Sequence, residues 1–248
     1  MKKMLAMLLV CLMTLAGAAC AETITMGSSI DFAPYEYYDD ATGEIVGIDV
    51  EIAQAVAEKL GYDLEIVDMQ FDSIIAAVVS GKVDFGMSGF TVTEERKQSV
   101  DFSTTYTTAV QSIIVPENSA ITSVDDLFNP DNSFEIGVQI GTTGDLYITD
   151  DVESNGLSHH IQRFNKAPDA IVALSSGKVD CVIIDDQVAI AFVKNNEGLK
   201  LLDTAYAFEE YAICFAKESP LYAPFNEALE ALIADGTVQS IIDKYIVA

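Results

Sequence analysis

Over residues 23–90, short apolar runs alternate with helical patterns, and few folds accept that order. Residues 23–26 alternate as a strand does. Asp49 reads as the cap of a helix in which Ile52, Val56 and Leu60 recur every fourth residue, and Gly61 closes it. Residues 64–67 form a second strand. Phe71 and Asp72 open a helix over 73–79 that stops at Ser80-Gly81, and residues 83–87 form a third strand. Strands joined by helices run parallel, so the class is α/β with a doubly wound sheet. In such sheets ligands collect beyond the carboxyl ends of the strands. The loops at 28–34, 68–71 and 88–91 should therefore meet on one edge.

One of these loops concentrates donors. Ser88-Gly89-Phe90-Thr91 leads to Thr93-Glu94-Glu95, which reads as the cap and first turn of a helix. Arg96 departs from that pattern, because a guanidinium adds positive charge where the helix dipole already supplies it. Hydroxyls, free N–H groups and an arginine fork in one place suit a small carboxylate or phosphate. The alternative is a surface ion pair of Arg96 with Glu94, Glu95 or Asp101.

A second unit echoes the first. Ser80-Gly81-Lys82-Val83-Asp84 recurs as Ser176-Gly177-Lys178-Val179-Asp180, each time between an alanine-rich helix and an apolar strand. Asp185-Asp186-Gln187 follows the second strand, so that edge gathers carboxylates. Strands are expected at 113–115, 135–138 and 211–216, and helices at 124–127, 170–174, 225–232 and 238–245. Gly141-Thr142-Thr143-Gly144-Asp145 opens a helix near Leu146, as an anion-binding loop or an ordinary capped turn.

The chain of 248 residues has 13 basic and 39 acidic residues, a net charge of −26 that repels nucleic acid and anionic lipid. Lys2 and Lys3 precede the apolar run 4–15 and the small residues 16–19, the form of a secretory signal over residues 1–21. Either Ala19-Cys20-Ala21 is cleaved to release Glu22, or Cys20 carries a lipid. Of the cysteines, Cys181 and Cys214 remain in apolar strands, either free or bridged to each other. His159-His160 reads as a solvated turn, without a second ligand pair for a metal.

Four segments in order, Phe32-Ala33-Pro34-Tyr35-Glu36-Tyr37, Gly47-Ile48-Asp49-Val50-Glu51-Ile52-Ala53, Gly89 through Arg96 running into Val100-Asp101-Phe102-Ser103, and Gly141-Thr142-Thr143, resemble the extracytoplasmic amino-acid-binding proteins of ABC importers, solute-binding protein family 3. The resemblance implies a type II periplasmic-binding-protein fold: two α/β lobes, two hinge strands and a ligand cleft between the lobes. Lobe 1 would comprise residues 22–106 and 211–248, and residues 107–210 would hold the hinge strands and lobe 2, with hinges near 106–110 and 207–210.

By the same resemblance, Arg96 forks onto the ligand α-carboxylate, helped by Thr91 and by Thr143 from the opposite lobe. Ser88, Gly89 and Asp185 take the α-ammonium, and Phe32 and Phe71 wall the side chain. A zwitterion leaving water needs both charges met, so closure is coupled to occupancy. Ser29 and Gln139, at side-chain positions, carry no charge. The expected ligand is therefore an uncharged amino acid, although Asp31 is close enough in sequence to serve a cationic one. No cofactor or metal is implied. The protein would be an exported monomer in the periplasm or at the cell surface, passing an amino acid to a membrane permease. Two rivals remain: a dehydratase acting on prephenate or arogenate, with Asp186 or Glu36 as general acid, and a ligand-sensing subunit of a receptor.

Overall fold

The computed structural model describes residues 21–246. Cys20 and all but the last residue of the expected signal segment lie outside the described residues. The first half runs β1 (Thr23–Ser28), β2 (Tyr37–Tyr38), β3 (Ile45–Val46), α1 (Ile48–Leu60), β4 (Asp63–Asp68), α2 (Phe71–Val79), β5 (Phe85–Gly86) and β6 (Val100–Phe102). There follow β7 (Thr107–Pro116), β8 (Glu135–Gln139), α3 (Thr143–Asn155), β9 (His160–Phe164), α4 (Ala167–Ser175), β10 (Cys181–Asp185), α5 (Asp186–Asn195) and β11 (Leu199–Leu201). The chain ends with β12 (Ala207–Tyr211), β13 (Cys214–Ala216), α6 (Tyr222–Ala234) and α7 (Thr237–Tyr245).

These elements make two sheets. The first has the order β4-β1-β5-β13-β6, parallel across β4, β1 and β5 and antiparallel at β13. The second has the order β11-β7-β10-β8-β9, with β12 also paired to β7. Helices α1 and α2 pack with the first sheet, α6 and α7 pack against α1, and α3, α4 and α5 pack with the second sheet. The chain passes between the sheets through β7 and β12, which pair antiparallel from Ala207 opposite Gln111 to Tyr211 opposite Thr107.

The echoed pentapeptide has a structural cause. Gly81 at φ +71° and Gly177 at φ +69° end α2 and α4 in the left-handed conformation that glycine tolerates. In each copy the lysine N–H then donates back to the helix, Lys82 to Ala77 and Lys178 to Ala173, both at 2.9 Å. Each aspartate clamps the start of a neighbouring strand. The N–H of Asp84 donates to the Thr25 carbonyl while its Oδ2 accepts the Thr25 N–H at 2.7 Å. Asp180 makes the same pair of bonds with Glu135.

Several sequence expectations change. Helix α1 begins at Gly47, and Asp49 is buried in its first turn instead of capping it. The helix expected after Thr93 is a three-residue 3-10 turn, Arg96–Gln98. Thr93 Oγ1 does accept the Arg96 N–H at 3.1 Å, but Val100 already pairs with Ala216, which leaves no length for an α-helix. The single strand expected over 211–216 is split between the two sheets, into β12 and β13. Cys181 and Cys214 are both free, since they are buried in different sheets and different apolar clusters. His159 is buried, with Nδ1 accepting the Phe134 N–H and Nε2 against the Leu127 carbonyl, so it is a core residue and not a solvated turn.

Candidate ligand-binding site

A small cavity opens where the carboxyl ends of β1 and β5 face the start of α3. Its walls include Ser29, Phe32, Phe71, Ser88, Gly89, Thr91, Arg96, Gln139 and Thr143, so nine of the ten expected site residues meet there. Asp31, Glu36, Gln111, Thr142 and Tyr211 complete it.

Arg96 is buried at 6% exposure. Its guanidinium lies 5.4 Å from the Phe71 ring centre and 5.3 Å from that of Phe90, and these rings stack at 4.6 Å. Nη1 donates to the Thr91 carbonyl at 2.8 Å. Nη2 reaches across to the Gly141 carbonyl at 3.0 Å. Among the described residues no carboxylate lies within ion-pair distance of it; Lys97 takes Glu94 and Lys217 takes Asp101. The surface-pair alternative for Arg96 is therefore absent here. Burial lowers its pKa, and Glu209 on β12 is the largest influence in the other direction. A buried cation without a partnered anion is costly, and a ligand carboxylate removes that cost.

The two halves touch around this point. Thr91 Oγ1 and Thr143 Oγ1 are 3.4 Å apart. Gly141, at φ +76°, lies so close to Asp72 that a Cβ would sit 3.1 Å from the Asp72 Cβ. The Gly141 N–H is not free for an anion, because Asp145 Oδ2 accepts it at 3.0 Å while Arg163 holds Oδ1 of the same carboxylate.

Acceptors dominate the rest of the wall. The Ser29 N–H donates to Ser88 Oγ, and Ser88 donates to Glu36 Oε1 at 2.6 Å. Asp49 sits beside Glu36 and accepts the Gly89 N–H at 2.8 Å and the Tyr106 hydroxyl at 2.7 Å. Burial, followed by the nearby Asp49 charge, raises the Glu36 pKa well above its usual value. Burial also raises that of Asp31, with Lys166 as the largest opposing influence. Asp31 Oδ2, Glu36 Oε2 and Gln111 Oε1 are buried without hydrogen-bond partners, and all three residues line the cavity.

Asp185 is the exception among the expected residues, since it does not line the cavity. Its Oδ1 caps α5 by accepting the N–H groups of Gln187 and Val188, and Oδ2 accepts the Tyr211 hydroxyl at 2.9 Å. It therefore stands behind Tyr211, which does line the cavity. Burial raises its pKa to about 7, with Asp186 adding to the effect. The folded protein thus holds a proton on Asp185 that the unfolded chain, near 3.8, releases. That contribution to stability is full below about pH 4 and is lost as pH rises through 7. The ligand-free protein should accordingly melt at a lower temperature at pH 8 than at pH 5, as calorimetric scans in both buffers would show. Asp49, Glu36 and Asp31, raised by burial as well, act in the same sense, so a flat profile would mean that none of the four holds its proton in this range.

Gln111 and Tyr211 escaped the sequence reading because they arrive on β7 and β12, far along the chain from the motif loops. Gln111 carried a usable signal as the one amide in its strand, set beside Ser112 and next to the apolar run Ile113-Ile114-Val115.

Residues 24–248 match the family model for bacterial extracellular solute-binding proteins, family 3. The arginine-binding extracellular protein ArtP of Bacillus subtilis is 35% identical over 258 residues, spanning 99% of this chain and 98% of ArtP. An ancestral arginine-binding protein solved with arginine superposes with a TM-score of 0.82 at 37% identity, covering 90% of this chain and 98% of its own. The ancestral amino acid-binding protein AncCDT-1, a precursor of cyclohexadienyl dehydratase, gives 0.80 at 32% identity, covering 90% and 95%.

Proposed function

The chain belongs to the bacterial extracellular solute-binding proteins, family 3, and from that premise we propose that it captures a free amino acid with a cationic side chain and delivers it to an ABC permease. The observation that carries this reading is the pairing of opposites in one cavity: a buried guanidinium with no carboxylate at ion-pair distance, and acidic groups on Asp31 and Glu36 that each keep one buried oxygen without a hydrogen bond. Arg96, with Thr91 and Thr143, would hold the α-carboxylate. Ser88, Gly89 and the Tyr211–Asp185 pair would hold the α-ammonium, and Phe32 and Phe71 would flank the stem. Asp31, Glu36 and the Gln111 carbonyl oxygen would receive the side-chain donors.

The uncharged ligand expected from Ser29 and Gln139 fits these acceptors less well, because two of the three groups are acidic and are best met by a cation. The arginine-binding relatives agree with the cationic choice. The segments at 106–110 and 207–210 would act as hinges between a lobe of residues 22–106 and 211–248 and a lobe within 107–210, the protein working as an exported monomer.

A thermal-shift screen of the common amino acids is the direct test. A ligand at about a hundred times its Kd adds ~2.7 kcal/mol, or roughly 5–10 °C for a protein of this size. Arginine, lysine or histidine should give that shift. A screen in which only neutral amino acids do so would reverse the side-chain assignment.

Affinity should also depend on pH. In the empty cavity Glu36 and Asp31 have raised pKa values, and a bound cation favours their charged forms. Binding should therefore release protons and strengthen as pH rises from 5 to 8. Calorimetry in two buffers of different ionisation heat reads this directly, and identical apparent enthalpies would contradict it.

The dehydratase reading has one supporting observation, the protonation-prone Glu36 in the cavity wall. Asp186 lies outside the cavity. Product formation from prephenate or arogenate would establish that activity.

A further inference from the structure

We propose that Lys166 competes with the cationic end of the ligand, and so sets how strongly the site prefers a charged side chain over a neutral one. This inference rests on the cationic reading of the site given above. Asp31 Oδ2 is buried and has no hydrogen-bond partner. Lys166 Nζ lies 3.8 Å from it, close enough for Coulomb attraction and too far for a hydrogen bond.

The two residues come from opposite halves of the molecule. Asp31 follows β1 of the first sheet, and Lys166 stands between β9 and α4 of the second. Asp31 forms part of the wall of the ligand cavity and of a second, more open pocket, which Tyr37, Tyr38, Phe192 and Asn195 also line. Lys166 is half-exposed beside this junction. Asp68 and Asp169 also act on Asp31, and Asp31 in turn acts on Glu36 in the same wall, so these neighbours are all acidic. Among the described residues, Lys166 is thus the one positive group opposing them.

A ligand cation moving toward Asp31 meets a carboxylate already partly neutralised, and it meets the lysine charge as well. A neutral side chain of the same shape is not repelled by Lys166. The lysine therefore costs a cationic ligand affinity that it does not cost a neutral one. The same contact draws the empty halves together, so Lys166 also affects closure. That second effect cancels when two ligands of one shape are compared on one protein.

L-arginine and L-citrulline are such a pair, a guanidinium against a urea. Calorimetric Kd values for both, on wild type, Lys166→Gln and Lys166→Arg, decide the matter. The ratio of citrulline Kd to arginine Kd should rise about five- to tenfold in Lys166→Gln, the scale of a partly screened charge at short range. It should stay within about twofold of wild type in Lys166→Arg, which keeps the charge. An unchanged or lower ratio in Lys166→Gln, with arginine still bound, overturns the role of Lys166 and leaves the cationic reading standing. An equal rise in both variants overturns it too, since packing and not charge would then be responsible. A wild-type protein that binds citrulline more tightly than arginine, or that binds neither compound and neither lysine nor histidine, overturns the cationic reading and this inference with it.

Discussion

Arg96→Met should reduce amino-acid affinity by at least about a hundredfold, the scale of deleting one member of a buried, hydrogen-bonded charge pair. The empty protein should melt no lower than wild type. Methionine keeps an apolar body against the Phe71 and Phe90 rings, and it removes a buried cation that no carboxylate among the described residues meets at ion-pair distance. Function and stability therefore move in opposite directions, which a merely structural arginine would not allow. Thermal melts with and without ligand read both effects from one sample. A variant that still binds would take Arg96 out of the site, and one that fails to fold would make it a structural residue.

The largest effect on folding is expected at Gly47. Its φ of +133° is open to few residues other than glycine, and a Cβ there would lie 2.1 Å from the Tyr35 carbonyl oxygen. That oxygen is held by the Asp49 N–H at 2.9 Å, so relief means breaking the start of α1 or shifting the Phe32–Glu36 turn. Gly47→Ala should cost about 3–5 kcal/mol, or roughly 6–20 °C in Tm. Gly43→Ala is the control. Gly43 also has positive φ, at +73°, but a Cβ there would meet nothing within 4 Å, and about 1 kcal/mol is the expected cost. Equal losses at the two positions would show that backbone conformation, and not the clash, governs Gly47.

The parallel half of each sheet was legible because its signals are local. Strand, helix, glycine stop and next strand follow one another within a few residues, and the loops after β1, β4 and β5 lie together as parallel order requires. The failures share a cause as well. Thr93-Glu94-Glu95 has the chemistry of a helix start, but the partner that truncates the helix, Ala216, is more than a hundred residues away. Asp185 illustrates the same limit. An aspartate at the start of a helix can cap it or face a ligand, and only the position of Tyr211 separates the two. Ser29 and Gln139 pointed to a neutral ligand because the sequence shows which residues are near one another in the loops, and not which oxygens remain unpaired when the halves meet.

The aspartate clamps at Thr25 and Glu135 grip the amino-terminal ends of β1 and β8, whereas the cavity lies beyond the carboxyl ends of those strands. Each sheet is in effect bolted at its base. The rim residues can thus be exchanged during specificity engineering while alignment of the strands is kept by bonds that none of those exchanges touches.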